Sequence, residues 1–143
     1  MPEPVNVLFV CLHGAAKSVI AAEYLVRLAR SAGHEVNAVA AGVEPHDEIP
    51  QHVVRGLAED GFDVSSRTPR RLTQQAINDA DLVVSFGCHV QAGSTPLTLM
   101  SWDDVPAVSD GFVAARDAII GRLRTLRAEE SLVQLVQRAE RHD

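Results

Sequence analysis

The chain has 143 residues, of which 46% are hydrophobic and 22% charged, and its formal net charge is −6. This size predicts one soluble domain over residues 1–143, and the negative charge argues against general binding to nucleic acid or to an anionic membrane. No apolar run reaches the roughly 18 residues that a membrane-spanning helix needs. The first ten residues lack the features of a secretory signal, and two cysteines make no disulfide framework, so we expect a cytoplasmic protein.

Short apolar runs predict four strands, and stretches of helical periodicity predict the helices between and after them. The strands are expected over residues 5–10, 36–41, 82–86 and 97–101. The helices are expected from Ser18 to Gly33, from Pro50 to about Asp60, over residues 73–78, and from Gly111 onward. Ser18 is predicted to cap the first helix. The apolar positions of the last helix are Val113, Ile119, Ile120, Leu123 and Leu126.

Strands that alternate with helices predict a parallel, doubly wound α/β sheet. Such sheets bind ligands where strand carboxyl ends meet helix amino ends, which here is the junction from Val10 to Ser18. A charged stretch at 127–130 interrupts the last helix, and the chain after about residue 127 is predicted to be an extension. The apolar stripe of residues 131–138 either packs on the domain or supports self-association.

The segment Cys11–Ser18 (CLHGAAKS), here called the cradle loop, joins the first strand to the first helix. Its small residues let the backbone approach a tetrahedral oxyanion, and Gly14 can adopt the positive φ of a tight loop. Successive N–H groups of such a loop form an anion-binding concavity. The helix dipole and Lys17 favour the nucleophilic thiolate of Cys11, to which Ser18 can donate a hydrogen bond. The predicted oxyanion-binding residues are Leu12, His13, Gly14, Ala15, Ala16, Lys17 and Ser18.

Cys11 has an alternative interpretation, because free cysteines at strand ends are commonly buried apolar residues without chemistry. The order strand, Cys, small residues, basic residue, Ser and helix is nevertheless more specific than a lone glycine motif. Both interpretations are open at this point.

The cradle loop resembles the C-x5-R-S phosphate loop of the low-molecular-weight protein tyrosine phosphatases and the related arsenate reductases. The resemblance runs in the family's order from Val5 to Leu126. It includes Ala41-Gly42, Gly61-Phe62-Asp63, Asp81–Cys88 (DLVVSFGC) and Phe112–Ile119 (FVAARDAI). The Cys-x-His-x-Ala pattern, Trp102 and the Ala-Arg-Asp of the last helix resemble the arsenate reductases.

This resemblance implies a four-stranded parallel sheet with helices on both faces, and catalysis in two steps. Cys11 attacks phosphorus or arsenic in line, the N–H groups of residues 12–18 hold the equatorial oxygens, and Ser18 supports the thiolate. An Asp on a later loop protonates the leaving group and then activates water. The scheme requires no cofactor.

The chain departs from the family pattern at two catalytic positions. Lys17, the single lysine among 13 basic residues, stands where the family has Arg. A lysine lacks the planar fork of arginine, so we expect oxyanion binding to survive and transition-state stabilisation to fall. The Asp-Pro pair is also missing, since Ala107-Val108 follows Val105-Pro106 at the place where it belongs.

Asp104 is taken as the candidate acid, in a register shifted from that of the family. The alternative is that Asp103 and Asp104 are solvated loop carboxylates and that Asp110 is a helix N-cap. Both departures weaken catalysis more than binding.

Cys88 follows the third strand, at the sheet edge that carries Cys11. In an arsenate reductase a second cysteine in this region resolves the arseno-cysteine by forming a disulfide, and the alternative is a half-buried thiol without a partner. The spacing of Cys11, His13, Cys88 and His89 is poor for metal ligands, so no metal site is predicted. His13 is predicted to fix the cradle loop through its side chain.

Two further features have open interpretations. Arg67, Arg70 and Arg71 form a basic cluster that is either solvated or guides an anionic substrate. Trp102 either lines the mouth of the pocket or packs in the core.

Three functions follow from these residues. The first is a Cys11-dependent phosphatase that hydrolyses phosphotyrosine-like monoesters of proteins or small molecules. The second is an arsenate reductase that uses Cys11 and Cys88 with a thiol or thioredoxin-type donor. The third is a module that binds oxyanions or phosphoproteins without turnover, because the loop Arg is replaced by Lys17 and the Asp-Pro acid is missing.

Overall fold

The computed structural model describes residues 5–88, 90 and 98–128. The strands in this part of the chain are β1 (Val5–Cys11), β2 (Val36–Gly42), β3 (Leu82–Ser85) and β4 (Thr98–Ser101). The helices are α1 (Lys17–Ser31), α2 (Gln51–Glu59), α3 (Gln74–Asp79) and α4 (Phe112–Ala128), with a 3₁₀ turn at Val108–Asp110. The predicted order of strands and helices is confirmed.

The strands form one parallel sheet in the order β2-β1-β3-β4. This arrangement confirms the four-stranded parallel sheet. Because β1 lies between β2 and β3 and is covered on both faces, its sequence is apolar almost throughout. The carboxyl end of β1 therefore opens at the centre of the sheet edge.

Alternating side chains of β1 enter two separate cores. Val7 and Phe9 pack in the larger core, together with buried side chains of α1, α2 and α4. Leu8 and Val10 face the other side, where Ile77 of α3 covers them. Helices therefore lie on both faces, as predicted, with three of the four on one face.

Local sequence signals explain several helix ends. Pro50 precedes α2, and Gly61 adopts a φ of 92° just after it. The Thr73 hydroxyl caps α3 by accepting a hydrogen bond from the Ala76 N–H at 3.1 Å. None of the helices within residues 5–88 and 98–128 is long and apolar enough to cross a membrane.

The structure corrects some predicted boundaries and burial. α1 begins at Lys17 with Ala16 as its N-cap, so Ser18 lies within the first turn and is not the cap. Val113, predicted as a core position, is 56% exposed, because it lies on the solvent side of α4. Residue 97 at the predicted start of β4, and the extension from 129 onward with its apolar stripe, lie outside the described residues.

A polar network joins α1 to α4 at the end of α2. The Tyr24 hydroxyl donates to the Asp60 carboxylate, which also accepts hydrogen bonds from the Arg116 guanidinium at 3.2 and 3.3 Å. Arg27 donates to the Asp60 carbonyl oxygen at 2.7 Å and stacks over the Phe62 ring at 3.6 Å. The network connects three helices away from the cradle loop.

Tyr24, the single tyrosine of the chain, makes this network measurable. Burial of the ring, together with the hydrogen bond and negative charge of Asp60, raises the pKa of Tyr24 from 10.0 to about 12. The folded state therefore holds the phenol proton more tightly than the unfolded state. The stability that this adds is complete below pH 10 and is lost as the pH rises from 10 to about 12.

We expect the phenolate absorbance of the native protein to remain low at pH 10–11, whereas the urea-unfolded protein is half ionised near pH 10. Tyr24→Phe should lower the free energy of unfolding at pH 7 by about 1–2 kcal/mol, measured by urea denaturation. The difference between wild type and variant should shrink above pH 10. Equal phenolate titration in the folded and unfolded states would contradict the network.

Candidate active site

The first half of the cradle loop continues the pairing between β1 and β2. Its carbonyl groups accept hydrogen bonds from a following segment, residues 43–46: Val43 to Cys11 at 3.3 Å, Glu44 to Leu12 at 2.7 Å and His46 to His13 at 3.2 Å. In a trans peptide the N–H points opposite to the C=O. The N–H groups of residues 12–14 therefore point away from segment 43–46.

Two glycines let the cradle loop cross the end of β2. Gly14 adopts a φ of 62°, which is the left-handed region, and a Cβ atom there would lie 2.6 Å from the Gly42 nitrogen. A Cβ atom on Gly42 would lie 2.5 Å from the Gly14 nitrogen. Gly42 is held from its other side by hydrogen bonds with Arg70 and Leu72 at 2.8 and 2.9 Å. A side chain at either glycine would force the loop open.

The N–H groups of residues 12–18 donate no hydrogen bond to any residue that the structure describes. They include the first N–H groups of α1, where the helix dipole adds positive potential. A row of such donors around a cysteine is suited to a tetrahedral oxyanion. Binding of an oxyanion by residues 12–18 stays a prediction.

Cys11 and Ser18 meet across the loop. The Cys11 Sγ lies 3.0 Å from the Ser18 Oγ, and the two residues are only 7% and 0% exposed. Ser18 is therefore not free to cap the helix, because its hydroxyl is directed at the sulfur. A hydroxyl in this position can donate to a thiolate and stabilise it.

Ser18→Ala is expected to lower the rate at which iodoacetamide alkylates Cys11 at neutral pH by about tenfold, because the thiolate loses one hydrogen bond worth about 1.4 kcal/mol. The measurement uses a Cys88→Ser background, so that Cys11 is the only thiol. Ser85→Ala is the matched control, since Ser85 is another buried hydroxyl, and it should leave the Cys11 rate unchanged. Equal rates for Ser18→Ala and the parent would contradict the predicted role of Ser18.

Lys17 is bound to a distant part of the chain. Its Nζ donates to the carbonyl oxygen of Val105 at 2.8 Å, and its side chain is half-buried. Val105 lies in the segment between β4 and α4, 88 residues further along the chain. The lysine thus has a partner other than the oxyanion that the sequence predicted for it.

The carboxylate predicted as the general acid is directed elsewhere. Asp104 is exposed and pairs with the Arg122 guanidinium on α4. The hydrogen bond from Arg122 lowers the pKa of Asp104, which disfavours the protonated form that a general acid needs. Asp103 lies beside Gly87, which is the residue before Cys88.

The alternative reading of Asp110 as a helix N-cap is corrected. Asp110 ends the 3₁₀ turn, and α4 begins two residues later at Phe112. The Gly111 carbonyl accepts the first helical hydrogen bond, from Ala115 at 3.3 Å, so Gly111 is the N-cap residue. Because Asp110 belongs to the 3₁₀ turn, it lies one residue too early in the chain to be the N-cap of α4.

Cys88 is half-buried and contacts the strand that carries Cys11. Its Sγ lies 3.6 Å from the carbonyl oxygen of Val10, the residue before Cys11, and 3.4 Å from the Ser85 Oγ. The Ser85 hydroxyl donates to the Cys88 carbonyl oxygen at 2.5 Å, which fixes the turn after β3. Both cysteines are free thiols and lie at the carboxyl ends of adjacent strands.

His13 fixes the cradle loop as predicted. Its Nδ1 hydrogen-bonds with the Glu44 carbonyl oxygen at 3.0 Å, and its ring stacks on His46 with a centroid distance of 3.7 Å. Among the described residues, no three His, Cys, Asp or Glu side chains group as metal ligands would. His89 lies outside the described residues.

Trp102 belongs to the core and not to the mouth of a pocket. It is 2% exposed and packs on Phe9 and Phe86 with centroid distances of 6.1 and 5.8 Å.

The three arginines of the basic cluster do not act together. Arg67 pairs with Glu23, whereas Arg70 and Arg71 are exposed beside the end of β2.

Sequence reasoning missed four partners of the site. His46, Ser85, Arg122 and the Val105 carbonyl each contact a candidate residue from a distant element. No local motif marks them. Gly42 carried a usable signal, because a glycine directly after a buried strand often marks a close backbone approach.

A model of the family described as low molecular weight phosphotyrosine protein phosphatase matches residues 6–99, which is more than half of the chain. The chain belongs to this family. The match includes the cradle loop and both cysteines. The glycine crossing and the Cys–Ser pair also lie within the matched residues.

The relatives within and around this family include several arsenate reductases. An arsenate reductase of Bacillus licheniformis is 27% identical over 125 residues, which cover 83% of this chain and 86% of that protein. A putative arsenate reductase of Halobacterium salinarum is 32% identical over 82 residues, 56% of this chain. The structure of a thioredoxin-dependent arsenate reductase from Corynebacterium glutamicum superposes with a TM-score of 0.78 at 30% identity, over 94% of this chain.

The chain spans only part of two of these relatives. The matched region covers 58% of the Halobacterium protein and 65% of the Corynebacterium chain.

Proposed function

We propose that the protein is an arsenate reductase in which Cys11 is the nucleophile and Cys88 the resolving thiol. The observation that carries the proposal is the placement of two free thiols at the carboxyl ends of the adjacent strands β1 and β3, with Cys88 Sγ 3.6 Å from the carbonyl oxygen of Val10. The arsenate reductases among the relatives support it.

The first step uses the cradle loop. Arsenate enters with its oxygens on the N–H groups of residues 12–18, and the Cys11 thiolate attacks arsenic. An S–As bond forms, and one As–O bond breaks as its oxygen leaves as water after taking up protons. Ser18 stabilises the thiolate before the attack, from 3.0 Å away.

The second step uses Cys88. Among the described residues, the hydrogen-bond partners of its S–H are two acceptors, the Val10 carbonyl and the Ser85 hydroxyl oxygen. The hydrogen of the Ser85 hydroxyl is itself donated to the Cys88 carbonyl. The proton passes to the oxygens of the departing arsenite, and the sulfur attacks the Cys11 Sγ. An S–S bond forms, the S–As bond breaks with its electron pair on arsenic, and As(III) leaves. An external dithiol of the thioredoxin type then reduces the Cys11–Cys88 disulfide and is itself oxidised.

The same site is less suited to phosphate monoesters. Hydrolysis of a monoester needs a protonated acid at the leaving oxygen and a base for water. Asp104 is paired with Arg122, which stabilises the carboxylate. Arsenate reduction needs no alcohol leaving group, so the pairing of Asp104 matters less.

The test is the fate of the two thiols. Reduced protein is treated with arsenate without reductant, alkylated and mapped by mass spectrometry. We expect a Cys11–Cys88 disulfide after arsenate and none after phosphate, which fits the cradle but is not reduced by thiols. Two alkylated cysteines after arsenate would overturn the proposal. Hydrolysis of a small aryl phosphate would then favour a phosphatase, and phosphate binding without turnover would favour a binding module.

A further inference from the structure

The lysine of the cradle loop joins two functional segments. Lys17 is the first residue of α1, and its Nζ donates to the Val105 carbonyl at 2.8 Å. An ammonium group has three N–H donors, so this hydrogen bond leaves donors for another acceptor. No carboxylate among the described residues pairs with it. A half-buried ammonium is stabilised by a counter-anion, and an oxyanion in the loop would supply one.

Val105 belongs to the segment of residues 102–106, which carries two exposed carboxylates. The segment is held at its start by Trp102, which is buried and whose N–H donates to the Ser85 carbonyl at 2.7 Å. Asp103 and Asp104 project between this anchor and the Val105 carbonyl that Lys17 holds. Lys17 is thus the described side chain that hydrogen-bonds the cradle loop to this segment.

We propose that Lys17 is a positioning residue that couples an oxyanion in the cradle loop to the position of segment 102–106. One N–H of the Lys17 ammonium keeps its hydrogen bond to the Val105 carbonyl while the others bind the oxyanion. Oxyanion binding in the cradle loop therefore shifts segment 102–106 or restricts its motion. Coupling is reciprocal: whatever holds the segment in place strengthens oxyanion binding. The inference rests on the proposed oxyanion chemistry of the loop and adds to it a function for the lysine.

The chain contains a built-in reporter for this coupling. Trp102 is the only tryptophan and lies three residues before Val105. Its quenching by acrylamide therefore reports on the start of segment 102–106 and on its packing against Phe9 and Phe86. Occupancy of the loop is measured separately, as the protection of Cys11 from iodoacetamide by inorganic phosphate, in a Cys88→Ser background. Neither measurement requires turnover.

In the parent protein we expect phosphate to protect Cys11 and to change Trp102 quenching with the same midpoint. In Lys17→Met the midpoint of protection should rise by about tenfold or more, because one charge-assisted contact is lost. At saturating phosphate this variant should show no Trp102 response. Lys17→Arg should restore both signals, because a guanidinium can donate to the oxyanion and to the carbonyl together.

Arg30→Met is the matched charge control, because Arg30 is exposed in the last turn of α1, at the end far from the loop. It should change the protection midpoint by less than about twofold. A full Trp102 response in Lys17→Met at saturating phosphate would overturn the coupling. So would a parent protein in which phosphate protects Cys11 without any Trp102 response. Failure of phosphate to protect Cys11 in the parent would overturn the oxyanion chemistry of the loop as well.

Discussion

Cys11→Ser is expected to lower arsenate-dependent oxidation of a dithiol reductant by about 10³-fold or more. A serine hydroxyl is not ionised near neutral pH and cannot form a disulfide, so both chemical steps are lost. The rate is measured as arsenate-dependent consumption of a reduced thioredoxin-type protein. The structure predicts little change in fold, because the hydroxyl still lies against the Ser18 Oγ.

The control for this variant is oxyanion binding. The N–H groups of residues 12–18 belong to the backbone, so Cys11→Ser should bind phosphate within a few-fold of wild type, measured by calorimetry. If Cys11→Ser binds phosphate but reduces no arsenate, its loss of activity is due to the missing sulfur and not to a damaged oxyanion site. Arsenate reduction above about one per cent of the wild-type rate would exclude Cys11 as the nucleophile.

Cys88→Ser is expected to stop multiple turnover with a dithiol reductant, with a fall of about 100-fold or more, while the first step is retained. Without the second thiol no intramolecular disulfide releases arsenite, so an adduct on Cys11 accumulates. Mass spectrometry of protein mixed with arsenate in the absence of other thiols should detect this adduct on Cys11. The substitution is small, and the new hydroxyl can still donate to the Val10 carbonyl.

An added small thiol shows whether Cys88→Ser has lost turnover because the resolving thiol is missing or because the protein is misfolded. A monothiol can attack the Cys11 sulfur in place of Cys88, so high concentrations should restore part of the turnover of Cys88→Ser but none of that of Cys11→Ser. The two variants are matched, because each leaves a single thiol in the chain. Wild-type turnover by Cys88→Ser with a dithiol alone would show that Cys88 is not the resolving residue.

The carboxylates and the lysine illustrate where sequence reasoning reached its limit. Spacing placed Asp104 near the family's acid, but the spacing could not show that α4 presents Arg122 to it. Similarly, Lys17 was predicted to contact an oxyanion, and the hydrogen bond to Val105 depends on how β4 and α4 are joined. Each of these partners is distant in sequence, so no window of neighbouring residues contains it.

Sequence alone was sufficient wherever the physical cause is local. The apolar run of β1, the Cys11–Ser18 loop and the alternation of strands and helices predicted the parallel sheet and placed the loop at its carboxyl edge. The pairing of Ser18 with Cys11 is expected from the loop itself, because the two residues are seven positions apart. Only the tertiary structure decided that Lys17 holds Val105 and that Cys88 contacts the strand of Cys11. The reason is that periodicity and loop composition act over a few residues, whereas side-chain partners are chosen by packing between elements far apart in the chain.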